Sequence, residues 1–504
     1  MVAVVAVDVV AGLYYRFHTT SKLWLDEAQT VNIASFPIRM LPAQLRKDGA
    51  PPLYYFLLHF WMGLVGHSDM DVRALSGVFA VLTLPVMWWV VRKGFGRVEA
   101  IAALAMLASS PFAVYFATET RMYSLVMFLV TAGIGAVMAL LSHPTVLRAL
   151  LVAIITSLLV YTHYWCFYLL VAVGLWFVWL VARDTGERRR GALYGLGAIA
   201  LGALTFIPWF SSFQYQRVHT GTPWALGPSL ASTFGWIGGF IGNQSVQSSS
   251  LDLHLELALI VFLVLLAFGY AAAPVGRDVL EFRLFGQSRA RVLTVIFLVT
   301  LAIAYVASRQ SNTAFQPRYA SVVFPVAVIL VGLGVAALPN RTFQVAAVCA
   351  VSVLSLWTTH WGAQVQRTQA GKVATAMHAQ VPLHAVVVVC PDQLGPSLLR
   401  YSGRSTYSYL GFPRFTSPWL VDWVDYKDAV SHVSLSGFSN RVLSRAGAST
   451  FYMVWSLGYG VHTTCEDLVG ALTRASGRKP KVLVAAQKLR FYQSMNLLEF
   501  ASHS

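Results

Sequence analysis

The chain has 504 residues, of which 57% are hydrophobic and 12% charged, and its formal net charge is +16. Soluble domains carry about 25% charged residues, so this composition excludes a soluble globular protein and indicates an integral membrane protein. Many of the basic residues lie in short loops between apolar runs, where positive charge sets membrane orientation, and no basic patch with interleaved aromatic residues indicates nucleic-acid binding.

Apolar runs of about 17 to 25 residues predict a polytopic α-helical membrane protein with about eleven transmembrane helices. The predicted spans begin near Val2, Val72, Val98, Met122, Val146, Trp165, Gly191, Leu253, Val292, Tyr319 and Phe343. If the N-terminus is cytoplasmic, the arginine-rich loops at 92–97 and 183–190 both lie inside, as the positive-inside pattern requires. The long loop 18–71 and everything after Trp361 then lie outside the cytoplasm.

The first outer loop is predicted to contain two helices on the membrane surface. Residues 40–47 and 53–64 have amphipathic content, and the second stretch follows Pro51 and Pro52, which break the chain before a helix. Such helices would cover a cavity between the spans. Near its start the loop carries two adjacent carboxylates, Asp26 and Glu27, which either stabilise the positive end of a helix dipole or act in a polar site.

From Gln364 onward the apolar runs shorten to the length of β-strands. Strands are predicted at 385–390, 450–455 and 481–486, with helices reaching Arg400 and covering 464–474. This alternation predicts a small parallel α/β domain. The chain is therefore divided into a transmembrane domain, residues 1–362, and an extracytoplasmic α/β domain, residues 363–504. The second domain has no GxGxxG or P-loop motif, so nucleotide binding is not indicated.

Five motifs follow one another on the predicted outer side of the membrane. They are LWLDEA at 23–28, APPLYY at 50–55 with His59, ETRMYSL at 119–125, YTHY at 161–164 and QPRY at 316–319. In this order they resemble the GT-C superfamily of membrane glycosyltransferases, particularly bacterial relatives of the family 39 protein mannosyltransferases and the lipid A aminoarabinose transferase. The resemblance covers residues 2–361. It implies an inverting enzyme that moves a sugar from a polyprenyl-phosphate donor to the hydroxyl of an envelope glycan, a lipid or a protein.

The resemblance also implies a general base among the acidic residues of the first outer loop. This role maps onto Asp26, and Glu27 is the next candidate. The chemistry agrees, because a carboxylate accepts a proton and a guanidinium binds phosphate through paired, charge-assisted hydrogen bonds. Arg318 is the leading candidate for the donor phosphate. The alternative for Arg318 is an arginine that reaches from the start of a span to the membrane interface.

Other polar residues of the motifs complete the candidate site. The further candidates for phosphate binding are Arg121, His163 and Tyr319, and those for substrate binding are Glu119, His59, Tyr54 and Tyr123. Glu119 and Arg121 are alternatively a structural pair, and each histidine is alternatively an interfacial hydrogen-bonding group. A divalent cation near the two carboxylates of the first loop is left open, and no other cofactor is expected.

The transferred sugar is left open between a mannosyl-like pyranose, which is favoured, and an arabinofuranosyl group. Eukaryotic family 39 proteins carry a β-trefoil that has no counterpart in this chain, so the acceptor is left open too. The alternative function is a transporter or flippase of a lipid-linked precursor. A transporter should show inverted repeats and charges near mid-span, whereas the notable charges of this chain cluster at the outer ends of the spans.

Two of the four cysteines, Cys390 and Cys465, fall in the predicted extracytoplasmic domain. One ends a predicted strand and the other opens a predicted helix. A disulfide between them and a pair of buried free thiols are both left open, because sequence does not set the distance between their Cα atoms. The cysteines show no CxxC spacing, so neither a zinc site nor a redox motif is indicated.

Overall fold

The computed structural model of the protein describes residues 1–222, 227–229, 238–242, 253–274, 280–282, 288–311, 313–458 and 463–502. Up to residue 364 this part of the chain is mostly helical. The helices are α1 (Val2–Phe17), α2 (Leu25–Ala34), α3 (Leu41–Asp48), α4 (Leu53–Val65), α5 (Asp69–Gly94), α6 (Arg97–Ser109), α7 (Pro111–Ala117), α8 (Tyr123–Ser142), α9 (Val146–Thr162), α10 (Cys166–Arg183), α11 (Gly186–Leu204), α12 (Ile207–His219), α13 (Leu253–Ala271), α14 (Ser288–Ser311), α15 (Phe324–Ala337) and α16 (Arg341–Gln364). Two short strands, β1 (Ala272–Pro274) and β2 (Leu280–Phe282), pair antiparallel between α13 and α14.

Each predicted span coincides with a helix or a bent pair of helices in the described residues. Within the described ranges, six helices, α5, α8, α10, α13, α14 and α16, are long and apolar enough to cross a membrane. The bent pairs α6 with α7 and α11 with α12 raise the number to eight. Helices α1, α9 and α15 have 16, 17 and 14 residues, whereas a typical span needs about 20. The chain is a multi-pass membrane protein, and the number of eleven spans stays a prediction.

Helix α15 lies at the centre of the bundle and is apolar on every side, as a fully buried helix should be. Every residue from Phe324 to Val335 is buried. Its backbone touches that of α13, because a Cβ atom at Gly334 would lie only 1.9 Å from the carbonyl oxygen of Leu265. Small residues at such a crossing allow close helix packing in membranes. A 3-10 helix, Pro317–Val322, leads directly into α15, so the buried helix positions the residues just before it.

The loop between α1 and α5 contains three α-helices, one more than the sequence predicts, and a short 3-10 helix, Ile38–Met40. Helices α3 and α4 agree with the two predicted surface helices to within one residue at each end. The additional helix, α2, is buried from Glu27 to Ala34. Because α2 is covered on nearly all sides, its sequence has no polar face opposite an apolar one. The amphipathic pattern by which a surface helix is predicted is therefore missing.

After α16 the described residues form strands and short helices. The strands are β3 (Gln366–Thr368), β4 (Val386–Cys390), β5 (Ser408–Gly411), β6 (Phe451–Trp455), β7 (Lys481–Val484), β8 (Phe491–Gln493) and β9 (Asn496–Phe500). The helices are α17 (Ala370–Gln380), α18 (Gly395–Ser402), α19 (Tyr426–Ser431), α20 (Leu435–Ala446) and α21 (Thr464–Ser476).

Five of these strands make one sheet in the order β5-β4-β6-β9-β7, and β3 pairs with β8 in a separate parallel ribbon. Strand β4 is parallel to β5 and β6, but β9 is antiparallel to both β6 and β7. The predicted all-parallel sheet is therefore wrong because of β9, which runs opposite to the other four strands. The connection from β7 to β9 contains no helix, and a parallel pair would need a crossover of a dozen or more residues.

Strand β4 is buried on both faces of the sheet, which explains its run of valines. Val387 and Val389 face a cluster formed with α17 and α18. Val386 and Val388 face a cluster that also contains Trp24 and Leu25 from the start of α2. The sheet thus packs against the first loop at the residues that precede Asp26.

Cys390 and Cys465 form a disulfide with a Cα–Cα distance of 5.6 Å. Of the two alternatives left open by the sequence, the structure contains the bridge. It joins the end of β4 to the start of α21. Cys166 and Cys349 are free thiols.

Candidate active site

Asp26 and Glu27 are neighbours in the first turn of α2, and their side chains point in different directions because consecutive helical residues are about 100° apart. The side chain of Glu27 is completely buried, whereas that of Asp26 is 19% exposed. Both lie where the helix dipole favours negative charge. Their environments nevertheless differ.

Asp26 pairs with Arg318 at the open side of α2. The Arg318 guanidinium donates a hydrogen bond of 2.9 Å to Oδ2 of Asp26, and the side chain of Arg318 is 17% exposed. The two motifs that carry these residues are 292 positions apart in sequence. A carboxylate and a guanidinium, both within reach of solvent, thus meet at one point.

Glu27 is held by buried cations. Arg73 donates hydrogen bonds of 2.7 and 2.6 Å to the two carboxylate oxygens, and the backbone N–H of Thr120 donates another of 3.1 Å. The Arg367 guanidinium lies 3.6 Å away. Burial would raise the pKa of Glu27, but these charges and hydrogen bonds hold it below its usual value. Both oxygens of this carboxylate are therefore already engaged.

Arg121 is linked to the backbone of Asp26 through the side chain of Thr30. Its guanidinium donates to Oγ1 of Thr30 at 2.9 Å and to the hydroxyl of Tyr55 at 3.0 Å. Thr30 in turn donates to the carbonyl oxygen of Asp26, and Tyr55 donates to Asp48. Burial raises the pKa of Asp48, while the charge of Arg121 opposes this rise. This network makes Arg121 a fixed positive charge near the first turn of α2.

Glu119 is buried beside the same turn. Nε1 of Trp24 donates to its Oε1 at 3.0 Å, and its Oε2 has no hydrogen-bond partner in the described part of the chain. Burial raises the pKa of Glu119 to about 7. Tyr492, from strand β8, packs edge-on against Trp24 with ring centroids 5.2 Å apart. Strand β8 therefore borders the region around Asp26.

His163, Tyr319 and Tyr123 form an aromatic group next to Arg318. The ring of His163 lies 5.3 Å from that of Tyr319 and 5.9 Å from that of Tyr123, and the Arg318 guanidinium lies 5.6 Å from the Tyr319 ring. Burial, with the charges of Arg121 and Arg318, lowers the pKa of His163 to about 3, so its ring is neutral at neutral pH. Its Nδ1 is 3.1 Å from the backbone N–H of Trp165 and accepts from it, which leaves the proton on Nε2.

The two remaining candidates each have a polar atom engaged by the protein. The hydroxyl of Tyr54 is 2.7 Å from that of Ser76, and the Tyr54 side chain is completely buried. Nδ1 of His59 lies 2.8 Å from the carbonyl oxygen of Ala34. The structure therefore places Tyr54 and His59 in the walls of the site and places Arg318 and Asp26 at its opening.

A divalent cation does not fit the Asp26–Glu27 pair. Both oxygens of Glu27 are bound by Arg73, and Asp26 faces the cation of Arg318. Across the described ranges, no group of three or more His, Cys, Asp or Glu residues is arranged to hold a metal ion.

Sequence reasoning missed several residues of this region. Arg73, at the start of the second predicted span, is expected from the sequence mainly to anchor that span, with a role in the site as the alternative, and a charge at such a position is also a signal of a buried partner. Asp48 and Tyr55 flank the proline pair, but no spacing rule links them to Arg121. Arg367 and Tyr492 belong to the last 140 residues and reach the first loop only through tertiary packing, so no local signal identifies them.

No protein-family model matches the sequence, and no curated protein matches it. Among solved structures, ArnT from Cupriavidus metallidurans in the apo state aligns over 100% of this chain and 99% of its own, with 15% identity and a TM-score of 0.62. This chain has the fold of ArnT. ArnT bound to undecaprenyl phosphate covers the same shares at 15% identity and a TM-score of 0.59. The apo oligosaccharyltransferase of Archaeoglobus fulgidus covers 90% of this chain and 69% of its own, with 11% identity and a TM-score of 0.54.

ArnT and this oligosaccharyltransferase both belong to the GT-C superfamily, so the resemblance predicted from the five motifs is confirmed for the fold. The alignment with ArnT extends through the sheet that follows α16, beyond the region covered by the motifs. In this ArnT-like fold, the loop between α1 and α5 and the 3-10 helix before α15 meet at the Asp26–Arg318 pair.

Proposed function

We propose that the protein is an inverting glycosyltransferase that moves a sugar from a polyprenyl-phosphate donor to an acceptor hydroxyl. The observation that carries this proposal is the pairing of Asp26 with Arg318 at the open side of α2, in a chain with the fold of ArnT. A carboxylate and a guanidinium are the two groups that such a transfer requires. ArnT has been crystallised with undecaprenyl phosphate, which supports a lipid phosphate as the donor's leaving group.

The ion pair suggests how the site responds to its donor. The phosphate of the donor replaces Asp26 as the partner of Arg318, because a guanidinium binds a phosphate through two parallel hydrogen bonds. Asp26 is then free to accept a proton. In this proposal, the neutral His163 donates a hydrogen bond from Nε2 to the phosphate, and the fixed charge of Arg121 contributes to its binding.

In the transfer step, the acceptor oxygen forms a bond to the anomeric carbon while the bond from that carbon to the phosphate oxygen breaks. The proton of the acceptor hydroxyl passes to Asp26. The electron pair of the broken bond leaves with the polyprenyl phosphate, where Arg318 stabilises the developing negative charge. Attack from the face opposite the leaving group inverts the anomeric centre.

The other candidates have supporting parts in this proposal. Glu27 anchors α2 through Arg73 and is not a proton acceptor, since Arg73 occupies both of its oxygens. Tyr319 and Tyr123 form the apolar wall beside the phosphate. Glu119, whose Oε2 has no partner among the described residues, is proposed to bind a hydroxyl of the substrate. Tyr54 and His59 shape the wall behind α2.

We further propose that the site and residues 363–504 face the outside of the cytoplasm and that those residues form a separate domain over the transmembrane domain 1–362. The loop-charge pattern supports this orientation. A mannosyl-like donor stays favoured over an arabinofuranosyl donor. The acceptor is a glycan, lipid or protein of the cell envelope.

The test uses the purified full-length protein in lipid nanodiscs, supplied separately with synthetic polyprenyl-phosphate mannose and polyprenyl-phosphate arabinofuranose and with envelope fractions as acceptors. Mass spectrometry measures the release of free polyprenyl phosphate. One donor should be consumed by the wild type and not by Asp26→Asn. If neither donor is cleaved but labelled donor crosses the bilayer of proteoliposomes, the proposal fails in favour of a lipid transporter.

A further inference from the structure

An open cavity of about 740 Å³ lies between helices of the bundle and shares no lining residue with the site around Asp26. It is bordered by helices α5, α8 to α11, α14 and α15. Its walls are mainly apolar, for example Leu169 and Val326. The volume falls within the range of about 300 to 1,000 Å³ that is typical of ligand-binding pockets.

Two cationic residues lie at one end of this cavity. Lys93 is near the end of α5 and Arg188 is in the first turns of α11. Helix α5 has 26 residues, which corresponds to about 39 Å. Its start, at Asp69, pairs with Arg400 of α18, on the same side as the first loop. Lys93 therefore lies at the opposite face of the membrane from Asp26.

These two cations have different surroundings. The guanidinium of Arg188 is 3.2 Å from Asp184 and is largely exposed. Exposed ion pairs are weak, so Asp184 does not prevent Arg188 from binding an anionic headgroup. The side chain of Lys93 is exposed, and no carboxylate of the described residues pairs with it. The end of the cavity thus presents positive charge at the level of lipid headgroups.

Trp176 adds a polar group to the cavity wall. Its indole nitrogen Nε1 is buried and has no hydrogen-bond partner within the described residues. Trp176 precedes Arg183, the last residue of α10, by two helical turns, or about 10 Å. Trp176 therefore lies toward the end of the cavity that carries the two cations.

We propose that this cavity binds one acyl chain of an anionic phospholipid from the leaflet opposite Asp26, with the lipid phosphate at Lys93 and Arg188. The walls of the cavity are mainly apolar, so hydrocarbon from the surrounding bilayer is its natural occupant. The two cations favour an anionic over a zwitterionic headgroup. The occupant is distinct from the donor, whose phosphate is proposed to bind at Arg318 on the other face.

The test measures phospholipids retained by the full-length protein after transfer into nanodiscs of mixed phosphatidylglycerol and phosphatidylcholine, using native mass spectrometry. Gly133→Phe places a ring in the cavity, because a Cβ atom at Gly133 meets only Ile155 Cγ2, at 3.5 Å. Gly197→Phe is the matched control, since nothing lies within 4 Å of its Cβ position. Lys93→Gln tests the contact with the headgroup. Arg92→Gln controls for the change in net charge, because Arg92 is also exposed but does not line the cavity.

The wild type should retain phosphatidylglycerol in preference to phosphatidylcholine. Lys93→Gln should reduce this preference about fivefold, and Gly133→Phe should abolish retention, while both controls behave like the wild type. Equal retention by Gly133→Phe and the wild type would overturn the proposal. The proposal would also be overturned if undecaprenyl phosphate were added and Gly133→Phe lost its retention while retaining as much phospholipid as the wild type. In that case the cavity would hold the donor's chain. If Gly133→Phe does not fold, the Lys93→Gln comparison still decides the headgroup contact.

Discussion

The substitution Glu27→Gln should strongly destabilise the protein. Glutamine keeps one oxygen as an acceptor but turns the other into an NH₂ group that faces the guanidinium of Arg73, a side chain only 7% exposed. The buried Arg73 then lacks its counter-charge, and Arg367, 3.6 Å from Glu27, adds a second cation. Breaking a buried ion pair in this way costs about 3 to 5 kcal/mol.

The adjacent substitution Asp26→Asn is a matched control because it makes the same chemical change one residue earlier. Asp26 and Arg318 are partly exposed, so losing their pair should cost roughly 1 kcal/mol or less. The assay heats each detergent-purified variant and measures the fraction that stays monodisperse by size-exclusion chromatography. Equal thermal stability of the two variants would refute this account of α2. Adding Arg73→Gln to Glu27→Gln should recover part of the loss, since it removes the unpaired buried charge.

Other predictions concern catalysis, pH and the disulfide. Asp26→Asn should lower the transfer rate about 10²- to 10⁴-fold while leaving binding of undecaprenyl phosphate in place, and near-normal turnover would remove Asp26 from the role of base. Arg318→Lys should weaken binding of undecaprenyl phosphate, because lysine lacks the planar guanidinium fork; wild-type affinity would instead indicate membrane anchoring. Burial raises the pKa of Glu119 from 4.5 to about 7, so its contribution to stability is complete below about pH 4.5 and is lost as the pH rises through 7. Glu119→Gln should therefore gain thermal stability relative to the wild type between pH 5 and pH 8, and a constant difference would contradict this. Cys390 and Cys465 should resist alkylation in the non-reduced protein, and their bridge, with a sequence separation of 75, should contribute roughly 4 kcal/mol; alkylation of both thiols without reduction would disprove it.

The membrane architecture was predictable from sequence because its signals are local. A span of about 20 apolar residues reveals itself by length and composition, since every backbone group must be satisfied within its own helix. The strands β4 and β6 were predictable for a similar reason, as runs of apolar and β-branched residues without helical periodicity. The direction of β9 was not, because strand pairing depends on the path of the connecting chain.

The sequence by itself also indicated Asp26 and Arg318, since a carboxylate and a guanidinium at the predicted ends of spans are scarce and chemically specific. Only the tertiary structure showed that they meet, across 292 positions, and that the neighbouring Glu27 points inward to Arg73. It also brought Arg367 and Tyr492 to the first loop. The physical reason is that burial and ion pairing depend on which distant segments pack together, and helical periodicity does not encode the partner of an exposed or buried face.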